Sequence, residues 1–160
     1  TLSTVNAINN TLTLAHVGDS RIYLIRHGQM CQISEDHSFV ALLVASGEIT
    51  PEESLKHPER NVLTKSLGSD RQLTNKYIQN LAHWHGEISI TLEDGDTLLL
   101  CSDGVWDLVP DAELCEAFNS DKTLQLAVHK TIDTVLERGA SDNATLLALR
   151  FHCTKRTVPD

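Results

Sequence analysis

Residues Thr97-Leu98-Leu99-Leu100-Cys101 form an apolar run of strand length with no polar alternation. A strand with apolar side chains on both faces needs a layer of structure over each face. Ala144-Thr145-Leu146-Leu147-Ala148-Leu149 reads the same way. Two such strands point to a layered fold rather than one sheet with a wet face. In an antiparallel protein, a second sheet on one side and helices on the other would supply the cover.

The N-terminal part reads as an antiparallel meander. Leu2 to Ile8 and Thr11 to Val17 form a hairpin around Asn9-Asn10, a pair that tolerates the positive φ of a tight turn. Gly18-Asp19-Ser20 makes the next turn, Arg21 to Arg26 a third strand, and Gln29 to Ile33 returns after His27-Gly28. Helix signals follow. Ser38 is an N-cap for Phe39 to Ser46, which Gly47 closes. Pro51-Glu52-Glu53 sets a proline and two acids in a first turn. Asp111 after Pro110 caps Ala112 to Phe118. The longest helix starts at Asp121, with Leu124, Val128, Thr131, Ile132, Val135 and Leu136 as its apolar stripe and Gly139 at its end. There is no repeat, linker or low-complexity tract, and the tail Thr154 to Asp160 reads as frayed. The expectation is one α+β domain spanning residues 1–160. The chain opens on Thr1 directly into a strand pattern and reads as a piece of a longer protein.

Lys plus Arg number 13 against 22 Asp plus Glu, a net charge of −9. That balance argues against nucleic acid and anionic membrane as partners, since both need clustered cations. No apolar run is long enough to span a bilayer, and no signal peptide precedes the first strand. Cys31, Cys101, Cys115 and Cys153 stand singly, without a C-x-x-C pair. Cys101 and Cys153 read as small buried hydrophobes, and a reducing cytoplasm is the expected compartment.

Three short motifs stand at strand ends: Gly18-Asp19-Ser20-Arg21, Ser102-Asp103-Gly104-Val105-Trp106-Asp107 and Ser141-Asp142-Asn143-Ala144-Thr145. Taken singly, each is most often only a turn, because Asp, Ser, Gly and Asn are the commonest turn residues. Together they place aspartates where strands meet turns, and rigidly held carboxylates suit a hard divalent cation. Carboxylates converging there would repel one another without a cation between them. His83-Trp84-His85 offers a weaker metal reading, because His-x-His on a strand points both rings one way. His37 and His57 suggest helix-cap or surface roles, with substrate contact as the alternative.

The ordered set resembles the metal-dependent protein phosphatases of the PPM family (type 2C), its bacterial members in particular. The likeness covers nearly the whole chain. It includes Glu35-Asp36-His37-Ser38, Gly47-Glu48-Ile49-Thr50-Pro51-Glu52-Glu53 and His57-Pro58-Glu59-Arg60-Asn61-Val62-Leu63-Thr64, which are similar to the bacterial flap segment. The resemblance implies two antiparallel sheets packed face to face with helices outside, a four-layer αββα sandwich. It implies hydrolysis of phosphoserine and phosphothreonine on proteins, opposing a Ser/Thr kinase, with Mn²⁺ or Mg²⁺ as cofactor. Asp103 and Asp142 would bind the paired catalytic metals, and Asp19 with Asp103 and Asp107 a third, weaker one. Gly104 and Asn143 would shape the loops, and residues 38–67 would border the substrate groove. The family's acidic cluster, phosphate-binding arginine and D-G-x-G-G turn have no counterpart here. The chain is therefore expected to be the C-terminal two thirds of such a domain, incomplete at the N-terminus and inactive alone. It should bind metal weakly and associate with itself or with the missing segment. A non-catalytic phosphatase-like domain that binds a phosphoprotein or regulator is the alternative.

Overall fold

A computed structural model of the chain describes residues 1–69, 74, 77–121 and 123–153. Among these, β1 (Leu2–Ile8), β2 (Thr11–Val17), β3 (Arg21–Arg26) and β4 (Gln29–Gln32) form where expected, with Asn9 in the positive φ of its hairpin turn, but as two hairpins rather than one meander, because the chain passes between β2 and β3 from one sheet to the other. With β5 (Ile90–Thr91), β6 (Thr97–Cys101) and β7 (Leu146–Arg150), they make two antiparallel sheets, in the orders β1-β2-β5 and β4-β3-β6-β7.

The register explains the two-sided burial of β6. Ile22 lies opposite Leu100 and Leu24 opposite Leu98, while Tyr23 lies opposite Leu99 on the other face. The first face packs on Leu12 and Leu14 of β2 and on Leu92. The second, with Ile25 and Cys101, packs under the helices α5 (Asp111–Ser120) and α6 (Leu124–Glu137) through Leu114, Phe118, Ala127 and Val135. Helix, sheet and sheet thus stack as three layers. On the outer face of the first sheet Thr4, Asn6 and Thr11 are exposed, so the described residues do not form the fourth layer there.

The strand read over 144–149 differs from expectation. It starts at Leu146 and is an edge strand, and Leu147 and Leu149, opposite Leu100 and Leu98 on the face turned to the first sheet, remain 49% and 45% exposed. Sequence pattern cannot tell a central strand from an edge one when both are apolar.

The short helices α1 (Phe39–Ser46) and α2 (Pro51–Ser54) form as expected, with Ser38 accepting from the Ala41 N–H and Gly47 closing α1 at φ 77°. Thr50 adds a capping box with Glu53. Asp111 is not a cap. Pro110 holds that position, and the Asp111 carboxylate accepts from the buried Tyr23 hydroxyl at 2.9 Å. The α6 helix starts later than expected, because Thr123 caps it through the Leu126 N–H while Asp121 ends α5 and pairs with Lys130. Leu136 lies outside the apolar stripe, 62% exposed. Residues 83–85 fall in a helical turn, α3 (Ala82–His85), and not in the strand that the His-x-His reading requires. Cys101 is buried and its thiol pushed up to about 12 by burial, but Cys153 is exposed. The tail 154–160 lies outside the described residues. No described helix is long and apolar enough to cross a membrane.

Candidate metal centre

The strand register carries the three aspartate motifs to one end of the second sheet. Arg21 at the start of β3 lies opposite Cys101 at the end of β6, which lies opposite Leu146 at the start of β7. Asp19, Asp103 and the Asp142 loop each lie a few residues beyond these positions.

The second and third motifs are tied directly. The Ser102 N–H donates to the Thr145 carbonyl at 3.0 Å. The Thr145 N–H returns to Ser102 Oγ at 3.0 Å, and that hydroxyl donates to the Asn143 carbonyl at 3.2 Å. Ser102 opens a helical turn rather than a simple loop, α4 (Asp103–Trp106). The turn approaches the Asn143 backbone so closely that a Cβ at Gly104 would sit 2.5 Å from the Asn143 carbonyl oxygen. That close approach leaves no room for a side chain at Gly104.

The first motif is held by other residues. Trp106 Nε1 donates to the Asp19 carbonyl at 3.0 Å, and the Arg21 guanidinium lies 3.8 Å from the Trp106 ring centre. Arg21 is fixed in turn by Asp36, with Nη2 to Oδ2 at 2.8 Å. Two buried histidines grip the Gly18 peptide, which has φ 117°. His16 Nε2 lies 3.0 Å from the Gly18 carbonyl, and the Gly18 N–H donates to His37 Nδ1 at 3.1 Å. Burial lowers both imidazoles, His37 to about 4. His37 is therefore a neutral buried acceptor, neither a surface residue nor a helix cap. His57 fits its expectation better: its Nδ1 accepts from the Glu59 N–H near the surface.

The aspartates are not equivalent. Burial raises Asp19 above the ordinary carboxylate value, and repulsion from Asp103 and then Asp36 raises it further. The Asp103 carboxylate accepts from the Gly104 N–H at 2.9 Å, and Asp142, exposed, accepts from the Asn143 N–H at 2.6 Å. Asp107 Oδ2 accepts from Arg60 Nη1 at 2.6 Å, whereas its Oδ1 is buried without a hydrogen-bond partner. Asp19 and Asp103 are thus coupled, Asp107 is paired, and Asp142 stands in solvent. Among the described residues, no three His, Cys, Asp or Glu side chains gather into a set able to hold a metal. The donor chemistry nonetheless suits a hard cation: oxygen donors only, mutual repulsion at Asp19, and an orphaned oxygen on Asp107. Arg60 and Ser102 lie within the sequence motifs, but nothing in the sequence gives either a role of its own. Only the folded contacts reveal one.

The family model for protein phosphatase 2C matches residues 1–41 and 60–144. The chain belongs to the protein phosphatase 2C family. A serine/threonine phosphatase, stp, of Listeria innocua is 36% identical over 137 residues, covering 85% of this chain and 50% of that protein. The crystal structure of the Mycobacterium tuberculosis serine/threonine phosphatase PstP/Ppp superposes with a TM-score of 0.82 at 33% identity, over 94% of this chain and 59% of that one. A structure of the PstP catalytic domain in complex with two manganese ions gives a TM-score of 0.69 at 32% identity, over 91% and 56%. The chain spans about half the length, or less, of the curated relatives it matches.

Proposed function

We propose that this chain carries metal-binding residues of a protein phosphatase that hydrolyses phosphoserine and phosphothreonine on proteins. The observation that supports this most is the convergence of three aspartate motifs at one sheet end, with Asp19 and Asp103 already repelling each other. Asp103 and Asp142 would hold the paired ions, and Asp19 with Asp103 and Asp107 a weaker third. Mn²⁺ or Mg²⁺ suits these oxygen donors, and the related PstP catalytic domain was crystallised with two manganese ions. When bound, such ions neutralise phosphoryl oxygens and lower the pKa of a water nucleophile. The chain's own residues do the positioning. Ser102 locks the Asp103 turn to the Asp142 loop, and Trp106 holds the backbone at Asp19. A phosphorylated protein in the cytoplasm, modified by a Ser/Thr kinase, is the substrate class.

The competing reading is a phosphatase-like domain that binds a phosphoprotein without hydrolysing it. Its support is that the aspartates do not form a three-carboxylate set and that Asp107 is already neutralised by Arg60. Turnover of a phosphothreonine peptide with Mn²⁺ separates the two, measured on a full-length protein containing this chain. Asp103→Ala and Asp142→Ala should each abolish turnover while leaving the circular dichroism spectrum unchanged. Full turnover by either variant removes the assignment.

A further inference from the structure

Two histidines hold both polar groups of Gly18. The Gly18 N–H donates to His37 Nδ1 at 3.1 Å, and the Gly18 carbonyl accepts from the main-chain N–H of His37 at 2.8 Å. That carbonyl also lies 3.0 Å from His16 Nε2, and since a carbonyl only accepts, Nε2 carries the His16 proton. His16 Nδ1 then accepts from the Ser3 hydroxyl of β1 at 2.8 Å. His37, which accepts at Nδ1, carries its ring proton on Nε2 as well. The two rings stack with centres 5.2 Å apart, and both side chains are buried. Each histidine is itself anchored: His16 exchanges two main-chain bonds with Gln79, and the His37 carbonyl accepts from the Thr64 N–H.

Asp19 follows at once. A peptide unit is planar, so fixing the Gly18 carbonyl also fixes the Asp19 nitrogen and Cα. Trp106 Nε1, at 3.0 Å, fixes the Asp19 carbonyl and with it the next plane. Two fixed planes meeting at one Cα leave its φ and ψ little freedom, and tetrahedral geometry then sets the direction of the Asp19 Cα–Cβ bond. That direction matters because Asp103 repels the Asp19 carboxylate, and a looser turn would let it swing away. Burial keeps both imidazoles neutral, so they hold the peptide without adding positive charge where a cation would bind.

We propose that His16 and His37 are positioning residues for Asp19, clamping its backbone so that its carboxylate is aimed at the cation site before a cation arrives. The proposal rests on the reading of Asp19 as a ligand of the weaker ion. The two rings act only through the Gly18 peptide. A ligand already in place loses less freedom on binding, so the clamp raises affinity without supplying a bond of its own.

Mn²⁺ titration of a full-length protein containing this chain, read by electron paramagnetic resonance of the free ion, tests the clamp. His16→Leu and His37→Leu should each weaken the low-affinity phase roughly tenfold, as loss of a group that orients a metal ligand does, and leave the tight phase unchanged. His16→Gln sets an amide N–H where Nε2 stood, and His37→Asn an amide oxygen where Nδ1 stood, so both should recover most of the loss. In an Asp19→Ala background the leucine substitutions should cost nothing further. Without metal, long-range proton–nitrogen correlation spectra of the wild type should show both rings as the Nε2–H tautomer, a readout that does not depend on the leucine variants folding. An Nδ1–H tautomer at either ring overturns the clamp. Wild-type Mn²⁺ affinity in both leucine variants, where Asp19→Ala lowers it, also overturns the clamp and leaves Asp19 a ligand. A loss equal in the leucine and amide variants, or one that persists without Asp19, makes both histidines structural only and overturns positioning. A low-affinity phase untouched by Asp19→Ala removes Asp19 as a ligand and the positioning role with it.

Discussion

Replacing Gly104 with alanine should destabilise the protein, although Gly104 sits in a helical turn where alanine is intrinsically the better residue by about 1 kcal/mol. The added Cβ would meet the Asn143 carbonyl oxygen at 2.5 Å, the Asn143 carbonyl carbon at 2.9 Å and the Ala144 Cα at 3.3 Å. All three are backbone atoms, so no side chain can swing away. Restoring an ordinary contact of about 3.5 Å moves the two backbones apart by roughly 1 Å. That shift breaks or stretches the three bonds from Ser102 to Asn143 and Thr145. At about 1 kcal/mol net for each bond, plus the strain of overpacking, the loss is roughly 2–4 kcal/mol. For a chain of this size it corresponds to a melting temperature lower by roughly 5–15 °C. Urea denaturation followed by circular dichroism, at several protein concentrations, measures it. The midpoint should fall with little change in slope. A midpoint unchanged or raised would refute the reasoning, since helix propensity without the clash has the opposite sign.

Asp19→Asn should stabilise the metal-free chain at neutral pH and have little effect near pH 3. Because burial and Asp103 raise Asp19 in the folded state, its ionisation costs stability as pH rises through that raised value; thermal melts at both pH values check this, and equal effects would remove the repulsion argument. Asp96 has the opposite sign. Burial opposes its charge, but Arg26, through Nε at 3.0 Å and Nη2 at 2.6 Å, and the Glu93 N–H hold it below the ordinary carboxylate value. Its contribution is present above the unfolded value and lost as pH falls through the depressed one, so Asp96→Asn should lower stability at neutral pH and flatten the acid limb of a pH–stability curve. The open edge of β7, with Leu147 and Leu149 half exposed, should drive self-association or pairing with another strand. Sedimentation velocity should show associated chain that Leu147→Lys with Leu149→Lys disperses, and a monodisperse wild-type monomer would contradict it.

The sequence by itself determined what local chemistry determines. Alternating turns and strands placed β1 to β4 nearly to the residue, because asparagine, glycine and histidine at the turns admit positive φ. Ser38 and Gly47 fixed both ends of α1 for the same local reasons. Apolar residues on both faces of 97–101 demanded cover on both sides, and β6 is central. The three aspartate motifs were legible as turns beside strand ends, and the strand register brings them to one end of the second sheet.

Tertiary structure decided whatever depends on a neighbour distant in sequence. That Leu147 and Leu149 stay half exposed depends on what packs over the edge strand β7, and apolar pattern is blind to that. Asp111 could cap or pair, and the buried Tyr23 hydroxyl, 88 residues away in sequence, decided for pairing. Asp19, Asp103, Asp107 and Asp142 look alike as letters, yet burial raises the first, Arg60 engages the third and solvent surrounds the last. A carboxylate's character is set by the charges and water around it, and those are assembled only when the chain folds.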